Sequence, residues 1–247
     1  DSGWRTLNLP HDWAIEGEFS QEHPSGTGGG ALPGGIGWYR KSFVADASFK
    51  DCKVFIDFDG VYMNSEVFLN GISLGKRPYG YISFRYDMTL YLKMGEENVL
   101  AVRVDNQEQP NSRWYSGCGI YRNVWLTKCN PIHVDLWGTY VTTPQVSETE
   151  ATVAVRTSIK NEADADASVE LVTGLFDAEG NQVGEASSVL PVKKDSIGIF
   201  EQDIQLLSPL LWSTEHPYLY TVKTEVYCEG KKIDDYTTTT GIRSFSF

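Results

Sequence analysis

Long apolar runs are missing from this 247-residue chain, and so is any cluster of lysine or arginine. The first absence leaves no segment able to span a bilayer as a helix. The second goes with 33 acidic residues against 21 basic ones and a net charge of −12. Nucleic acid and anionic membranes bind through clustered positive charge, so neither is an expected partner. Cysteine is scarce. Cys52, Cys118, Cys129 and Cys228 form no C-x-x-C pair, so neither a zinc site nor any other metal or cofactor is expected. Spacing does not choose among the possible disulfide pairings, and free buried thiols are the expectation for a chain this large. Histidine is thin and scattered over His11, His23, His133 and His216, which suggests no Ser/His/Asp arrangement. The acidic pairs Glu96-Glu97, Glu148/Glu150 and Asp234-Asp235 lie beside turn signals and read as solvated charges.

Helical periodicity is almost absent too. Short alternating runs recur instead, separated by Gly, Asn, Asp and Pro, the pattern of β-sandwiches. Val54, Ile56 and Phe58 alternate with Lys53, Phe55 and Asp57, which points the first set inward. Leu100, Val102 and Val104 do the same against Ala101, Arg103 and Asp105. Asn70-Gly71 after Val67-Phe68-Leu69 signals a two-residue hairpin, and Pro78-Tyr79-Gly80 another turn. Residues 17 to 37 hold eight glycines and two prolines, so regular structure is costly there and a long surface loop is expected. That loop is either simply mobile or a lid over a binding site. Without a following Gly-Lys-Ser/Thr it is not a phosphate loop.

Asn130-Pro131 marks the expected boundary between domains 1–130 and 131–247. Beyond it, Val153, Val155, Thr157 and Ile159 alternate with polar neighbours, as do Tyr220, Val222 and Val226. Turn signals at Asn161-Glu162-Ala163-Asp164, Glu179-Gly180-Asn181 and Glu229-Gly230 give roughly seven strands, the layout of an immunoglobulin-like sandwich. Aromatics make up 13% of the chain, with 7 Trp and 13 Tyr. Either packing in β-rich cores or stacking on sugar rings accounts for that content.

Several short motifs occur in a definite order. They are Leu9-Pro10-His11-Asp12-Trp13, Gly37-Trp38-Tyr39-Arg40, Leu100-Ala101-Val102-Arg103-Val104-Asp105-Asn106 and the run from Arg113-Trp114-Tyr115-Ser116-Gly117-Cys118-Gly119-Ile120 to Tyr121-Arg122. In the second part come Leu211-Trp212-Ser213, Pro217-Tyr218-Leu219-Tyr220 and Gly241-Ile242-Arg243. In this order they resemble the N-terminal part of family 2 glycoside hydrolases, most closely the bacterial β-galactosidase branch.

The resemblance implies an all-β chain: a jelly-roll (galactose-binding-like) sandwich followed by an immunoglobulin-like sandwich. It also implies that catalysis belongs to a later (β/α)₈ barrel carrying two glutamates that work by the retaining mechanism, about 5 Å apart. On that reading this chain holds no catalytic residue, hydrolyses nothing alone, and has as partners its own barrel and a β-galactoside or related glycan. The acidic surface suits a neutral sugar. The loop before Gly119-Ile120-Tyr121-Arg122 would reach the sugar pocket. Arg113 stands where some members place an Asp, and it would donate hydrogen bonds to sugar hydroxyls while Trp114 or Tyr115 stacks on a ring. The competing reading pairs Arg113 with an acidic neighbour and buries both aromatics. Asn106 ends a strand and either bonds its own turn or contacts sugar. His11, Asp12 and Trp13 read as structural, capping a turn and packing beneath it. A stand-alone carbohydrate-binding module, or the same domains from a β-glucuronidase or β-mannosidase, are the alternatives. Asp1-Ser2-Gly3 without a leading Met reads as a trimmed start. A strand lost there would leave an unpaired sheet edge and favour self-association. Export to the periplasm or cell surface follows from the family resemblance.

Overall fold

A computed structural model describes residues 3–245, so the expectation placed on Asp1-Ser2 lies outside the described residues. Two compact units result, one through Lys128 and one from Cys129.

In the first unit the alternating runs become two sheets. Strands β1 (Gly35–Val44), β3 (Ser65–Leu69), β4 (Ile72–Arg77) and β6 (Glu97–Asn106) form one, in the order β1-β6-β3-β4. Strands β2 (Lys53–Phe58), β5 (Phe84–Asp87) and β7 (Val124–Cys129) form the other, in the order β5-β2-β7. Val54, Ile56 and Phe58 of β2 and Phe84 of β5 meet Val67 and Leu69 of β3 and Val102 and Val104 of β6 in one buried core. Because successive side chains of a strand point to opposite faces, a single alternation places three residues of β2 in that core. Asn70 and Gly71 close the β3–β4 hairpin with φ of 52° and 84°, the left-handed pair that a two-residue turn of matching twist demands.

One residue departs from the alternation. Phe55 points away from the core yet is only 5% exposed. The Arg85 guanidinium covers its ring at 4.6 Å, and Arg85 is itself held by Asp57 through Nε–Oδ1 at 2.5 Å and Nη2–Oδ2 at 3.1 Å. A cation lying on an aromatic face hides it without a second hydrophobic layer.

Among its described residues the second unit carries seven strands. They are β8 (Ile132–Val146), β9 (Glu150–Asn161), β10 (Ala167–Phe176), β11 (Gln182–Val192), β12 (Ser196–Leu207), β13 (Tyr220–Cys228) and β14 (Lys231–Thr240). They form sheets ordered β11-β10-β13-β14 and β12-β9-β8. Val153, Val155 and Ile159 from one sheet face Leu171, Leu175, Val222 and Val226 from the other. No helix among the described residues is long and apolar enough to cross a membrane.

Two expectations need correction here. Of the four cysteines only Cys118 is buried, because the others sit at strand ends or turns where the sheet edge leaves them half covered. Asp234 is not a solvated charge: it lies on β14 and its Oδ2 accepts the Val134 backbone N–H at 2.8 Å. Burial raises its carboxyl pKa. Asp235 next to it is exposed and pairs with Lys232 at 2.9 Å, and Glu96, Glu97, Glu148 and Glu150 are exposed.

Candidate sugar-contacting loop

Two of the sequence motifs, a hundred residues apart, prove to be one structural element. The His11 N–H donates to the Ile120 carbonyl at 2.8 Å, and the Trp13 N–H to the Cys118 carbonyl at 3.0 Å. From the other side, Tyr62 and Gly119 exchange both backbone hydrogen bonds at 2.9 Å. Gly119 is therefore sandwiched between two segments. Its φ is +129°, and a Cβ would run into the Tyr39 hydroxyl and the His11 carbonyl, so no larger residue fits.

This zipper pins the loop between β6 and β7. Asp12 holds it at two points and its own segment at a third. Its Oδ1 accepts the Ala14 N–H at 2.9 Å and the Cys118 N–H at 3.0 Å, while Oδ2 accepts the Tyr115 hydroxyl at 2.5 Å. Burial and that carboxylate push the Tyr115 phenol far above its ordinary range. Asn106 holds the loop from within. Its Nδ2 donates to the Gly117 carbonyl at 3.0 Å and approaches Cys118 Sγ at 3.0 Å, and its Oδ1 accepts from Asn111 Nδ2 at 2.5 Å. At 2% exposure with the amide fully engaged, Asn106 shapes the loop and does not present itself to a ligand.

The loop so braced turns Arg113 and Trp114 outward. Arg113 is exposed and has no ion pair or hydrogen bond among the described residues, so the pairing with an acidic neighbour is not formed. Trp114 is 60% exposed and Tyr115 also lies at the surface, so neither fills the core. Ser112 Oγ donates to the Trp114 carbonyl at 2.6 Å and steadies the bend. The glycine-rich segment lies alongside: Gly28 abuts the Arg113 backbone and Gly30 abuts the Tyr115 ring. That segment is closed by its own backbone bonds, Ser20 N–H to the Ala31 carbonyl at 3.0 Å and Ala31 N–H to the Gly26 carbonyl at 2.8 Å. Ser25 Oγ adds a bond to the Leu32 carbonyl at 2.7 Å. It is a folded flank of the loop.

Below the zipper, His11 Nδ1 meets the Tyr39 hydroxyl at 2.8 Å, and its Nε2 contacts Glu16 at 3.2 Å and Arg5 at 3.0 Å. Arg5 and Glu16 form an ion pair, and the Glu16 carboxyl is lowered chiefly by Arg5. Burial pushes the Tyr39 phenol up to about 12 and the Cys118 thiol up to about 11. These protons are held, not poised for transfer near neutrality.

One set of residues at the loop has no counterpart in the sequence reading beyond a turn signal. Between β4 and β5, Tyr79 and Tyr81 project outward, 57% and 43% exposed, and the Trp114 indole N–H donates to the Tyr81 hydroxyl at 3.0 Å. The two tyrosines flanking Gly80 were the available signal. What that signal lacked was the contact with Trp114.

The arrangement offers an exposed cation on a braced backbone, several donors and aromatic faces, and among the described residues no pair of carboxylates lies beside them. The second unit holds an open cleft of about 550 Å³ lined by Thr142, Thr143, Trp212, Thr240 and Arg243 among others. No acid lines it, and Arg243 stacks on Trp212 at 4.7 Å. No group of His, Cys, Asp and Glu among the described residues is placed to hold a metal ion.

Family models match in two successive blocks: glycosyl hydrolases family 2, sugar binding domain, over residues 32–130, and glycosyl hydrolases family 2 over residues 132–243. A β-galactosidase of Bacteroides ovatus, BoGH2A, is 60% identical over 247 residues, covering 100% of this chain and 29% of that protein. A protein described as a putative β-glucuronidase of Formosa agariphila is 43% identical, covering 100% of this chain and 23% of its own length. Among solved structures, a glycosyl hydrolase family 2 member from Bacteroides cellulosilyticus superposes with a TM-score of 0.96 at 37% identity, over 100% of this chain and 32% of that one. The chain thus spans less than a third of the length of these relatives.

Proposed function

The chain belongs to glycoside hydrolase family 2, with that family's sugar-binding and immunoglobulin-like domains in order, and on that premise we propose that it is the non-catalytic N-terminal part of a retaining glycosidase acting on terminal β-galactosides. Its first domain forms one wall of the sugar pocket, and its second domain positions the catalytic barrel. The observation that carries this reading is the loop at 113–115: a braced backbone holds outward a guanidinium with no partner among the described residues and an indole that is 60% exposed.

Arg113 donates to hydroxyls of the terminal sugar, and the Trp114 face covers its C–H surface. Hydrolysis requires two carboxyl groups about 5 Å apart across the scissile bond, one as nucleophile and one as acid and base. Those groups come from the barrel. Identity to BoGH2A supports the galactoside branch over the glucuronide branch. Export to the periplasm or cell surface belongs to the same proposal and is tested by cell fractionation.

The test is Arg113→Ala in the full-length enzyme, assayed on a β-galactoside and a β-glucuronide. Loss of a charged hydrogen bond of about 1.5–3 kcal/mol lowers kcat/KM roughly 10- to 100-fold on the galactoside. Unchanged kinetics removes Arg113 from the pocket. A loss confined to the glucuronide moves the enzyme to the other branch.

A further inference from the structure

The turn between β4 and β5 is built to push aromatic rings outward. Gly80, between Tyr79 and Tyr81, has no room for a Cβ because the buried Tyr62 ring lies directly against it. Two hydrogen bonds hold the turn from beneath: the Tyr121 hydroxyl donates to the Gly80 carbonyl at 2.8 Å, and the Asn64 N–H to the Pro78 carbonyl at 3.0 Å. Tyr81 stands 5.6 Å from Tyr79, edge to face, and 5.1 Å from Tyr62 beneath it. With Trp114 bonded to the Tyr81 hydroxyl, the surface carries a connected row, Tyr79–Tyr81–Trp114, that starts beside Arg113 and leads away from it.

A fixed row of rings exposed to this degree marks an interaction surface. Its polar rims and immobile backing suit a ligand with alternating C–H faces and hydroxyl edges, which is a chain of pyranose rings. The Tyr79 and Tyr81 ring centroids are 5.6 Å apart at an interplanar angle of 70°, so the pair offers a sugar chain one ring face and one ring edge. A net charge of −12 disfavours an anionic polysaccharide. The matched sugar-binding model spans all three residues.

We infer that Tyr79 and Tyr81, continuing outward from Trp114, form a platform for the sugar units that follow the terminal one, so that the substrate is a neutral oligosaccharide or polysaccharide branch tipped with galactose. Placing the terminal sugar at Arg113 rests on the proposed function. The platform itself belongs to this chain, because the first unit has its own core and both sides of the row come from it.

The experiment is an NMR titration of this 247-residue chain with galactose and with β1,4-galactotetraose, following the Trp indole N–H signals. The tetrasaccharide should bind with Kd of about 1 mM, and galactose roughly tenfold or more weakly. Tyr79→Ala combined with Tyr81→Ala should weaken the tetrasaccharide by ~10-fold or more and abolish the length dependence. Tyr79→Ala alone, at a side chain with no hydrogen bond, covers the case in which the double variant misfolds, and should still cost ~3- to 10-fold. Equal affinity for both sugars, no binding of either, or wild-type affinity in a folded variant would overturn the platform. In a longer polypeptide containing this chain, sugar-free protection of Tyr79 and Tyr81 from nitration would show that protein covers the rings, and would also overturn it. A longer polypeptide without β-galactoside turnover would refute the proposed function and leave the titration standing.

Discussion

Replacing Asp12 separates the two jobs its carboxylate does. Asp12→Ala removes the acceptor for the backbone N–H groups of Ala14 and Cys118, both on buried residues, and for the Tyr115 hydroxyl. A buried donor left without a partner costs about 1–3 kcal/mol, so the two backbone groups together cost roughly 2–6 kcal/mol. The Tyr115 hydroxyl, at the surface, turns to water and adds at most about 1 kcal/mol. Against a typical total of about 5–15 kcal/mol, that leaves the first unit marginal. Asp12→Asn keeps Oδ1 for both backbone donors and points an amide N–H at the Tyr115 oxygen, losing only the charge assistance, about 1 kcal/mol. Urea unfolding of the chain reads both variants, with the second unit, which has separate cores, as internal reference. An Asp12→Ala loss under ~0.5 kcal/mol, the size of an ordinary surface substitution, would refute the staple. So would an Asp12→Asn loss equal to that of Asp12→Ala.

Gly80→Ala forces a methyl into the buried Tyr62 ring and should cost about 1–3 kcal/mol in the same unfolding assay, with the Trp114 indole signal shifted as Tyr81 moves. Cys118 should be the slowest of the four thiols to react with a maleimide. Its folded pKa of about 11 exceeds the unfolded 9.0, so its contribution is complete below pH 9 and is lost between about 9 and 11. That loss is on the order of 2 kcal/mol in an alkaline stability series, and Cys118→Ala should flatten it. His133 is buried and its pKa is lowered below 6.5 mainly by burial, opposed by the Asn130 carbonyl, Glu162 and Asp234, while Lys160 lowers it further. The unfolded chain then takes up the proton first, so the second unit should lose stability as pH falls through 6.5, and a His133→Gln variant should show a shallower acid slope. Asp234, with its pKa raised above 3.8, works in the opposite direction: its contribution is greatest at the lowest pH and is lost as pH rises through its folded pKa.

The strands were legible because one-face burial writes a period of two into each run, as in Val153-Val155-Thr157-Ile159 on β9. The Asn70-Gly71 hairpin was legible because its two positive φ values restrict composition. Tertiary partners were not. Nothing local marks His11-Asp12-Trp13 as the pairing partner of Cys118-Gly119-Ile120, since both stretches are too short and irregular to carry a period. Asn106 was singled out by type, yet whether an amide faces ligand or loop depends on contacts with residues 111, 117 and 118 that only the folded turn brings together. Asp234 was misread, and the cover over Phe55 went unseen, for a related reason. A neighbouring strand's N–H draws in the first, and Arg85 hides the second, and neither partner adjoins its residue in sequence.

The most direct measurement sets the purified 247-residue chain beside the longer polypeptide that contains it, with each assayed for hydrolysis of an aryl β-galactoside. The proposed function predicts no turnover by the 247-residue chain alone and activity in the longer polypeptide. Turnover by the 247-residue chain itself, proportional to its concentration and free of any larger species, would contradict the assignment of catalysis to a separate barrel.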